Sequence, residues 1–380
     1  MKKVPDSRLR KIRVWSSNGR ACELFDPQES HNISLIDLAS NDYLGLSQHP
    51  ALIEAAQKTM LSEGVGAGAS RLITGTRPIH EKLEQELSKW LGFEKVLLFP
   101  SGFQANLAAI NSLANRYTPV FADRLIHHSL LVGVKISGAK IKRFAHNDLD
   151  DLEKLLENYI KTQPNQTPLV ITESLFSMEG TCPSIKKTAS LCKQYGAMLF
   201  VDEAHSIGVM GEQGKGLCNK ISDSITMISG TFGKAFGSGG AFLATSKDIN
   251  EHIIQSSGAF RYTTALAPPL AAAALAALKL IQANSDWITN LQKDSIAWRT
   301  KLLKEGWDIP PGIGPIIPLI LGSDEKSLEK QQQLEANGLL TIAIRPPTVP
   351  EGSSRLRIVL RNNLPKATLD NLIFNLRDKF

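Results

Sequence analysis

Short apolar segments alternate with helical patterns between about residues 95 and 245, and this alternation restricts the possible folds more than any other feature of the sequence. Each segment is bounded by turn residues, as expected for strands that are covered on both faces. Helices between consecutive strands indicate an α/β fold with a largely parallel sheet, in which ligands bind beyond the carboxyl ends of the strands. The predicted strands are Lys95–Phe99, Pro119–Ala122, Lys140–Phe144, Pro168–Thr172, Ala197–Val201, Ile225–Ser229 and Gly240–Ala244.

The rest of the chain indicates a second, smaller domain. An Ala-rich helix over Pro269–Ile281 and a long amphipathic helix over about Trp287–Leu303 lead to a region of proline-rich turns, short strands and helices. We therefore expect a large α/β domain over residues 46–285 and a small α+β C-terminal domain over residues 286–380. Residues 1–45 are expected to pack with the small domain or to cover the entrance to the site.

The composition is that of a soluble globular protein. The 380 residues include 42% hydrophobic and 21% charged residues, which excludes the disordered and fibrous classes. No apolar run has the length of a membrane span, and the start of the chain is basic rather than hydrophobic, so we expect a cytoplasmic protein with no membrane partner. The four cysteines form no C-x-x-C pair, which indicates neither a metal site nor a disulfide framework.

The formal net charge of +6 raises the question of an anionic partner. The basic residues are scattered and no nucleic-acid-binding motif accompanies them, so we do not expect nucleic acid as a partner. An anionic substrate or an acidic carrier explains the charge equally well.

Lys234 is the strongest candidate for a reactive residue. It lies in the segment TFGKAFG (231–237), between glycines and phenylalanines, where the pKa of its amine is expected to fall and the amine to become nucleophilic. A solvated loop lysine is the alternative. The segment is not a Walker phosphate-binding loop, because Ala follows the lysine. Thr231, three residues before Lys234, could bind a phosphate beside the amine.

Asp202 closes the predicted strand Ala197–Val201, and His205 follows three residues later. As a pair at a strand end they can contact the same aromatic ring, with Asp202 at a pyridinium nitrogen and His205 at a ring hydroxyl. A carboxylate that caps a helix and a buried structural imidazole are the alternatives. Together with the amine of Lys234, the pair indicates a pyridoxal 5'-phosphate (PLP) enzyme, in which the lysine holds the cofactor aldehyde and the aspartate keeps the ring protonated.

Two further strand ends carry candidate cofactor contacts. Ser101-Gly102-Phe103 joins a strand to a helix, and such a junction suits an anionic phosphate, although an ordinary helix N-cap is equally expected. After the second strand, His127 or His128 could stack on the cofactor, and spacing does not decide between them. The glycine-rich segment over residues 64–71 does not follow a strand, so it indicates a lid or a linker rather than a dinucleotide site.

Three arginines of the C-terminal region are candidate carboxylate ligands. Arg345, Arg355 and Arg357 carry the planar guanidinium that can bind a carboxylate through two hydrogen bonds. A solvated strand face is the alternative for Arg355, which lies two positions from Arg357.

These motifs together resemble those of the α-oxoamine synthases, which are fold type I PLP enzymes, and the resemblance covers nearly the whole chain. It implies a PLP-dependent transferase fold and a homodimer with active sites at the subunit interface. Two departures are Glu203, where the family often has Asp, and Ala235, where it often has Gly. The motifs that carry the resemblance are SNDYLGL (40–46), SGFQAN (101–106), DRL (123–125), FAHND (144–148), ESLFSMEG (173–180), VDEAH (201–205) and TFGK (231–234).

The resemblance also implies a role for each matching residue. Lys234 would bind PLP covalently and act as the general base, Asp202 would contact the pyridinium nitrogen, and His127 rather than His128 would stack on the ring. The implied cofactor contacts beyond these three are Gly102, Phe103, Ser177, His205, Thr231 and, reaching the phosphate of the partner subunit's cofactor, Thr264. The implied substrate contacts are Arg10, Asn41, His127, Thr348 and Arg357.

Within the family, RPPTVP (345–350) followed by RLR (355–357) is most similar to the members that condense L-alanine with a pimeloyl thioester in biotin synthesis. The pimeloyl group would arrive on coenzyme A (CoA) or on acyl carrier protein, and the sequence does not distinguish these carriers. The alternatives are the sibling activities glycine C-acetyltransferase, 5-aminolevulinate synthase and serine palmitoyltransferase (SPT). Lys234, Asp202 and His205 argue against a noncatalytic partner subunit. The lack of a helix-turn-helix pattern argues against a PLP-sensing transcription factor.

Overall fold

The computed structural model describes residues 5–17, 19–20, 22–27, 34–163 and 165–377. The chain divides into two compact units. The sheet unit comprises Pro50–Phe176 and Cys182–Ser285, and the terminal unit comprises Met1–His49, Ser177–Thr181 and Asp286–Phe380. Among the residues that the structure describes, no helix combines the length and the apolar character that a membrane crossing requires. The domain boundaries expected at residues 45 and 285 remain predictions.

The regular elements are numbered in chain order. The strands are β1 (Glu23–Phe25), β2 (Ser34–Asp37), β3 (Lys95–Phe99), β4 (Pro119–Asp123), β5 (Lys140–Phe144), β6 (Leu169–Glu173), β7 (Met198–Asp202), β8 (Met227–Thr231), β9 (Ala241–Thr245), β10 (Ile316–Gly322), β11 (Leu339–Leu340), β12 (Ile342–Ile344) and β13 (Ser354–Val359). The α-helices are α1 (Pro50–Glu63), α2 (Pro78–Leu91), α3 (Gly102–Leu113), α4 (His128–Ser137), α5 (Leu149–Thr162), α6 (Ile185–Gln194), α7 (Lys247–Ser256), α8 (Gly258–Arg261), α9 (Pro268–Ala283), α10 (Ser285–Lys304), α11 (Asp324–Ala336) and α12 (Thr368–Leu376).

The sheet unit is built on a seven-stranded sheet in the order β3-β9-β8-β7-β6-β4-β5. Neighbouring strands from β8 to β5 pair in parallel, and β9 alone runs against its neighbours β3 and β8. The predicted α/β fold with a largely parallel sheet is therefore confirmed, and the predicted strands are found with ends shifted by at most two residues. The inner strands are buried along nearly their whole length, as expected for a sheet with helices on both faces.

Side-chain caps fix where helices begin at the carboxyl edge of this sheet. The hydroxyl of Ser101 accepts the N–H of Gln104 at 3.3 Å at the start of α3, and Asp148 accepts the N–H of Asp151 at 3.0 Å at the start of α5. The segments after β7 and β8 fold back as tight turns instead of helices. The first helical turns and these loops thus meet along one edge, where ligands of such sheets bind.

The terminal unit contains two three-stranded sheets. In one, β2 pairs antiparallel with β1 and parallel with β11; in the other, β13 lies between β10 and β12 and is antiparallel to both. Every residue of β13 is buried, including Arg355 and Arg357. Residues 177–181, which follow β6 in the chain, belong to this unit.

Candidate active site

The amine of Lys234 and the imidazole of His205 are in direct contact. Nζ of Lys234 lies 2.8 Å from Nε2 of His205, which is only 7% exposed. Lys234 follows β8 and His205 follows the neighbouring strand β7, so the parallel pairing of the two strands brings their loops together. The sequence motif predicted these residues as one group, and the structure brings them together.

Asp202 ends β7 and is 7% exposed. Its Oδ1 accepts the backbone N–H of Ala204 at 2.9 Å, and its Oδ2 accepts a hydrogen bond from the amide of Asn106 at 2.7 Å. A nearly buried carboxylate fixed by two donors is preorganised to face a positively charged group.

His127 is the N-cap of α4 and is anchored from two sides. Its backbone N–H donates to Oε1 of Glu173 at 2.6 Å, and its Nδ1 lies 2.7 Å from Oγ of Ser129. The side chain is exposed, but its Nδ1 edge packs against the protein. Desolvation lowers the pKa of His127, the charge of Asp202 opposes this, and the positive charges of Lys234 and His128 lower the pKa further.

The N-terminus of α3 lies beside the end of β8. A Cβ atom added to Gly102 would come within 3.8 Å of Cβ of Thr231. The capping hydroxyl of Ser101 accepts only the Gln104 N–H, which leaves the N–H groups of Gly102 and Phe103 at the open end of the helix. The hydroxyl of Thr231 donates to the carbonyl of Gly240 at 3.0 Å and accepts the N–H of Gly233 at 3.2 Å.

Thr264 is the residue that is predicted to contact the cofactor of a partner subunit. It is exposed and forms an isolated antiparallel bridge with Ser70, at the end of the glycine-rich segment. That segment follows helix α1, so it lacks the preceding strand that a dinucleotide site requires.

Arg355 corrects one sequence-based alternative. A solvated strand face was the alternative for this residue, but Arg355 is 5% exposed and its Nη1 forms an ion pair with Oε1 of Glu179 at 3.2 Å. The burial removes solvent from the guanidinium, and the pKa of Arg355 is lowered mainly by that desolvation, against the stabilising charge of Glu179. Arg355 and Glu179 therefore form a structural ion pair within the terminal unit.

Arg357 is equally buried but has a different set of partners. It is 4% exposed, its Nε donates to the carbonyl of Ser177 at 2.6 Å, and its Nη2 donates to Oδ1 of Asn41 at 2.8 Å. Among the described residues no carboxylate forms an ion pair with Arg357, whereas Arg355 and Arg361 both have one. A buried guanidinium without a carboxylate is costly, so Arg357 is suited to an anionic ligand.

The remaining predicted substrate contacts lie near the chain ends. Arg10 is exposed, and its Nη2 donates to Oγ1 of Thr348 at 3.2 Å, so the structure brings these two residues together. Arg345 donates to the carbonyl of Ser7, and burial lowers its pKa, with a further lowering by the charge of Arg10.

Asn106 and Ser129 are residues to which sequence reasoning gave no role. Asn106 is 3% exposed and donates from Nδ2 to both Asp202 and Oγ of Ser129, which is fully buried. The available signal was local: Asn106 is a polar residue between the small apolar residues Ala105 and Ala108 on the inner face of α3. A buried amide in that position needs polar partners.

The residues of the sheet unit fit PLP on structural grounds. They supply a primary amine at Lys234, a nearly buried carboxylate at Asp202, and a helix N-terminus with free N–H groups beside Thr231. These three features match the aldehyde, the ring nitrogen and the phosphate of PLP in charge and hydrogen-bonding type.

Comparison with known proteins gives the same assignment. Residues 33–376 match the family model of aminotransferase class I and II. The chain is 42% identical to the 8-amino-7-oxononanoate synthase of Cellvibrio japonicus (strain Ueda107), over 84% of this chain and 80% of the relative. Its fold matches a high-resolution structure of SPT with PLP as an internal aldimine, with a TM-score of 0.88, 26% identity, and 94% and 89% of the two chains covered. It also matches the crystal structure of 8-amino-7-oxononanoate synthase from Francisella tularensis, with a TM-score of 0.77, 28% identity, and coverage of 90% and 96%.

Proposed function

This chain belongs to the aminotransferase class I and II family and, within it, to the 8-amino-7-oxononanoate synthases, and from that membership we propose that it condenses L-alanine with a pimeloyl thioester. The products are 8-amino-7-oxononanoate, carbon dioxide and the free thiol carrier. The protein is a PLP-dependent acyltransferase with a role in biotin biosynthesis. The observation that carries the proposal is the 2.8 Å contact between Lys234 and His205 beside the strand end that holds Asp202.

PLP, when bound, supplies an aldehyde that joins the amino group of alanine and a ring that accepts electrons from Cα. Nζ of Lys234 acts as the general base that takes the proton from Cα and later returns a proton. The carboxylate of Asp202 keeps the ring nitrogen protonated, and it is held for this purpose by the Ala204 N–H and by Asn106.

Two further groups of the chain orient the substrates. Arg357 is the proposed ligand of the alanine carboxylate. Its guanidinium is buried, and among the described residues no carboxylate forms an ion pair with it. His127, which the resemblance assigns to the face of the ring, would stack on PLP when the cofactor is bound. The net reaction forms the bond from Cα of alanine to the thioester carbonyl carbon, expels the thiol and releases the alanine carboxylate as carbon dioxide.

A homodimer is part of the proposal, and exposed apolar side chains of the sheet unit support it. Leu61 is 91% exposed, Val65 72%, Ile73 75% and Tyr262 80%. The bridge between Ser70 and Thr264 joins the two segments that carry these side chains. Exposed apolar side chains on paired segments are consistent with a surface that another protein chain covers.

The test is product formation by the purified, PLP-loaded protein. Incubation with L-alanine and pimeloyl-CoA or pimeloyl-acyl carrier protein should give 8-amino-7-oxononanoate by mass spectrometry, and Lys234→Ala should abolish it. Stopped-flow absorbance with each carrier then identifies the preferred thioester. Turnover of glycine or serine in place of alanine would assign the chain to a sibling activity and overturn the proposed substrate.

A further inference from the structure

A continuous set of hydrogen bonds joins Asp202 to His127 through two residues, Asn106 and Ser129. Asn106 donates from Nδ2 to Oδ2 of Asp202 at 2.7 Å and to Oγ of Ser129 at 2.9 Å. Oγ of Ser129 in turn lies 2.7 Å from Nδ1 of His127. Asn106 and Ser129 are 3% and 0% exposed, so water does not compete for these bonds.

The chemistry of the partners fixes the direction of every bond in this chain. The carboxylate of Asp202 only accepts, so the amide of Asn106 must turn its NH₂ group toward it, and the second amide hydrogen then points to Ser129. The Ser129 oxygen accepts from Asn106 and has its own hydrogen left to donate to His127.

A second donor also requires Nδ1 of His127 to act as a hydrogen-bond acceptor. The backbone N–H of Ser129 also points at Nδ1 of His127, at 3.3 Å, and an N–H group can only donate. Nδ1 is thus an acceptor for two donors and carries no proton. A neutral imidazole then has its proton on Nε2.

We propose that Asn106 and Ser129 are positioning residues, in which Asn106 holds the Asp202 carboxylate in its working orientation and Ser129 fixes His127 as the tautomer with its proton on Nε2. The inference rests on the proposed function only for the presence of PLP. Without Asn106, Oδ2 of Asp202 would lose its donor, and the carboxylate would be free to rotate. Without the Ser129 hydroxyl, the imidazole would lose the stronger of its two tautomer-setting donors.

The charged surroundings of His127 are consistent with a neutral ring. Desolvation lowers its pKa, Asp202 raises it, and Lys234 and His128 lower it. Glu173 faces the backbone of His127 and accepts its N–H at 2.6 Å. A hydroxyl that donates to Nδ1 stabilises the neutral ring and therefore acts in the same direction as the desolvation.

The first test measures directly which nitrogen of the His127 ring carries the proton, in the cofactor-free protein. With ¹⁵N-labelled histidine, protonated and unprotonated ring nitrogens have separate NMR shifts, and the spectrum of His127→Gln identifies the signals of this ring among the eight histidines. Wild type should show a protonated Nε2 and an unprotonated Nδ1. Ser129→Ala should raise the pKa of His127 and populate the other tautomer, and Ser129→Thr, which keeps the hydroxyl, should restore the wild-type pattern.

The second test measures PLP binding by absorbance and fluorescence titration. Asn106→Ala leaves Oδ2 of Asp202 without its donor, so we expect PLP affinity to fall about tenfold or more. Asn106→Asp places a second carboxylate at hydrogen-bond distance from Asp202, where the two cannot both ionise, so PLP affinity should also become pH-dependent. The control is Asn250→Asp, at a buried asparagine of α7 that has no hydrogen bond to Asp202.

The outcomes separate this inference from the proposed function. Wild-type PLP affinity in both Asn106 variants, or an unchanged His127 tautomer in Ser129→Ala, would overturn the inference. A protein that binds PLP but makes no product from alanine would overturn the proposed function and leave both tests intact. If circular dichroism shows that an Asn106 variant does not fold, the NMR spectrum of Ser129→Ala alone determines whether the inference holds.

Discussion

The carboxyl group of Glu203 should make the stability of the sheet unit depend on pH. Glu203 is fully buried, and burial raises its pKa from 4.5 to about 7, against hydrogen bonds that lower it. Oε1 accepts the N–H groups of Leu217 at 2.7 Å and Cys218 at 3.2 Å, while Oε2 is buried without a hydrogen-bond partner. We predict that Glu203→Gln removes most of this pH dependence.

The sign follows from the two pKa values of Glu203. Between 4.5 and about 7 the folded protein keeps a proton that the unfolded chain has lost. The stabilising contribution is therefore complete below pH 4.5 and is lost as the pH rises through about 7. The gap between the two values, at about 1.36 kcal/mol per pH unit, makes the loss roughly 3 kcal/mol. Glu203→Gln cannot ionise, and its Oε1 can keep the bonds to Leu217 and Cys218.

The assay is thermal unfolding from pH 5 to pH 8. Part of the loss is complete before pH 5, so about 2.5 kcal/mol remains between pH 5 and pH 8. For a unit of this size about 1 kcal/mol moves the midpoint by roughly 2–4 °C, so the midpoint of Glu203→Gln relative to wild type should rise by roughly 5–10 °C over this range. Glu212→Gln is the control, because Glu212 is an exposed carboxylate whose pKa is lowered by its pairing with Lys220. If wild type and Glu203→Gln change in parallel across this range, the burial argument is wrong.

Two further substitutions test the arginines of the terminal unit. Arg361→Leu leaves the buried Asp37 carboxylate without the partner that lies 2.6 Å away, so the protein should lose roughly 3–5 kcal/mol of stability by denaturant unfolding; a loss below 1 kcal/mol would contradict the ion-pair account. Arg357→Lys removes the planar donor set, so the KM for L-alanine should rise about tenfold or more while the PLP affinity stays the same; an unchanged KM would remove Arg357 from the substrate site.

The parts of the site that the sequence predicted are those that short motifs carry. Lys234, Asp202 and His205 each follow or end a short apolar strand, and parallel pairing of β7 with β8 brings such ends together. The strands themselves were predictable because inner strands of a covered sheet are largely apolar. Local pattern and a general rule of topology were therefore enough for these residues.

The parts that the sequence did not predict depend on partners far along the chain. Arg355 is buried because Glu179 pairs with it across 176 positions, and nothing beside Arg355 in the sequence indicates that carboxylate. Asn106 is similar, since its acceptor Asp202 lies 96 positions away. Periodicity describes which face of an element is apolar, but it does not identify the distant polar group that a buried side chain meets.

The central claim is that the amine of Lys234 carries PLP, and the most direct measurement locates the cofactor chemically. The PLP-loaded protein is reduced with sodium borohydride, which makes the linkage permanent, and is then digested and sequenced by mass spectrometry. The account predicts one pyridoxyl group, on the peptide that contains Lys234. A pyridoxyl group on another lysine, or none on the Lys234 peptide of a protein that holds PLP, would contradict it.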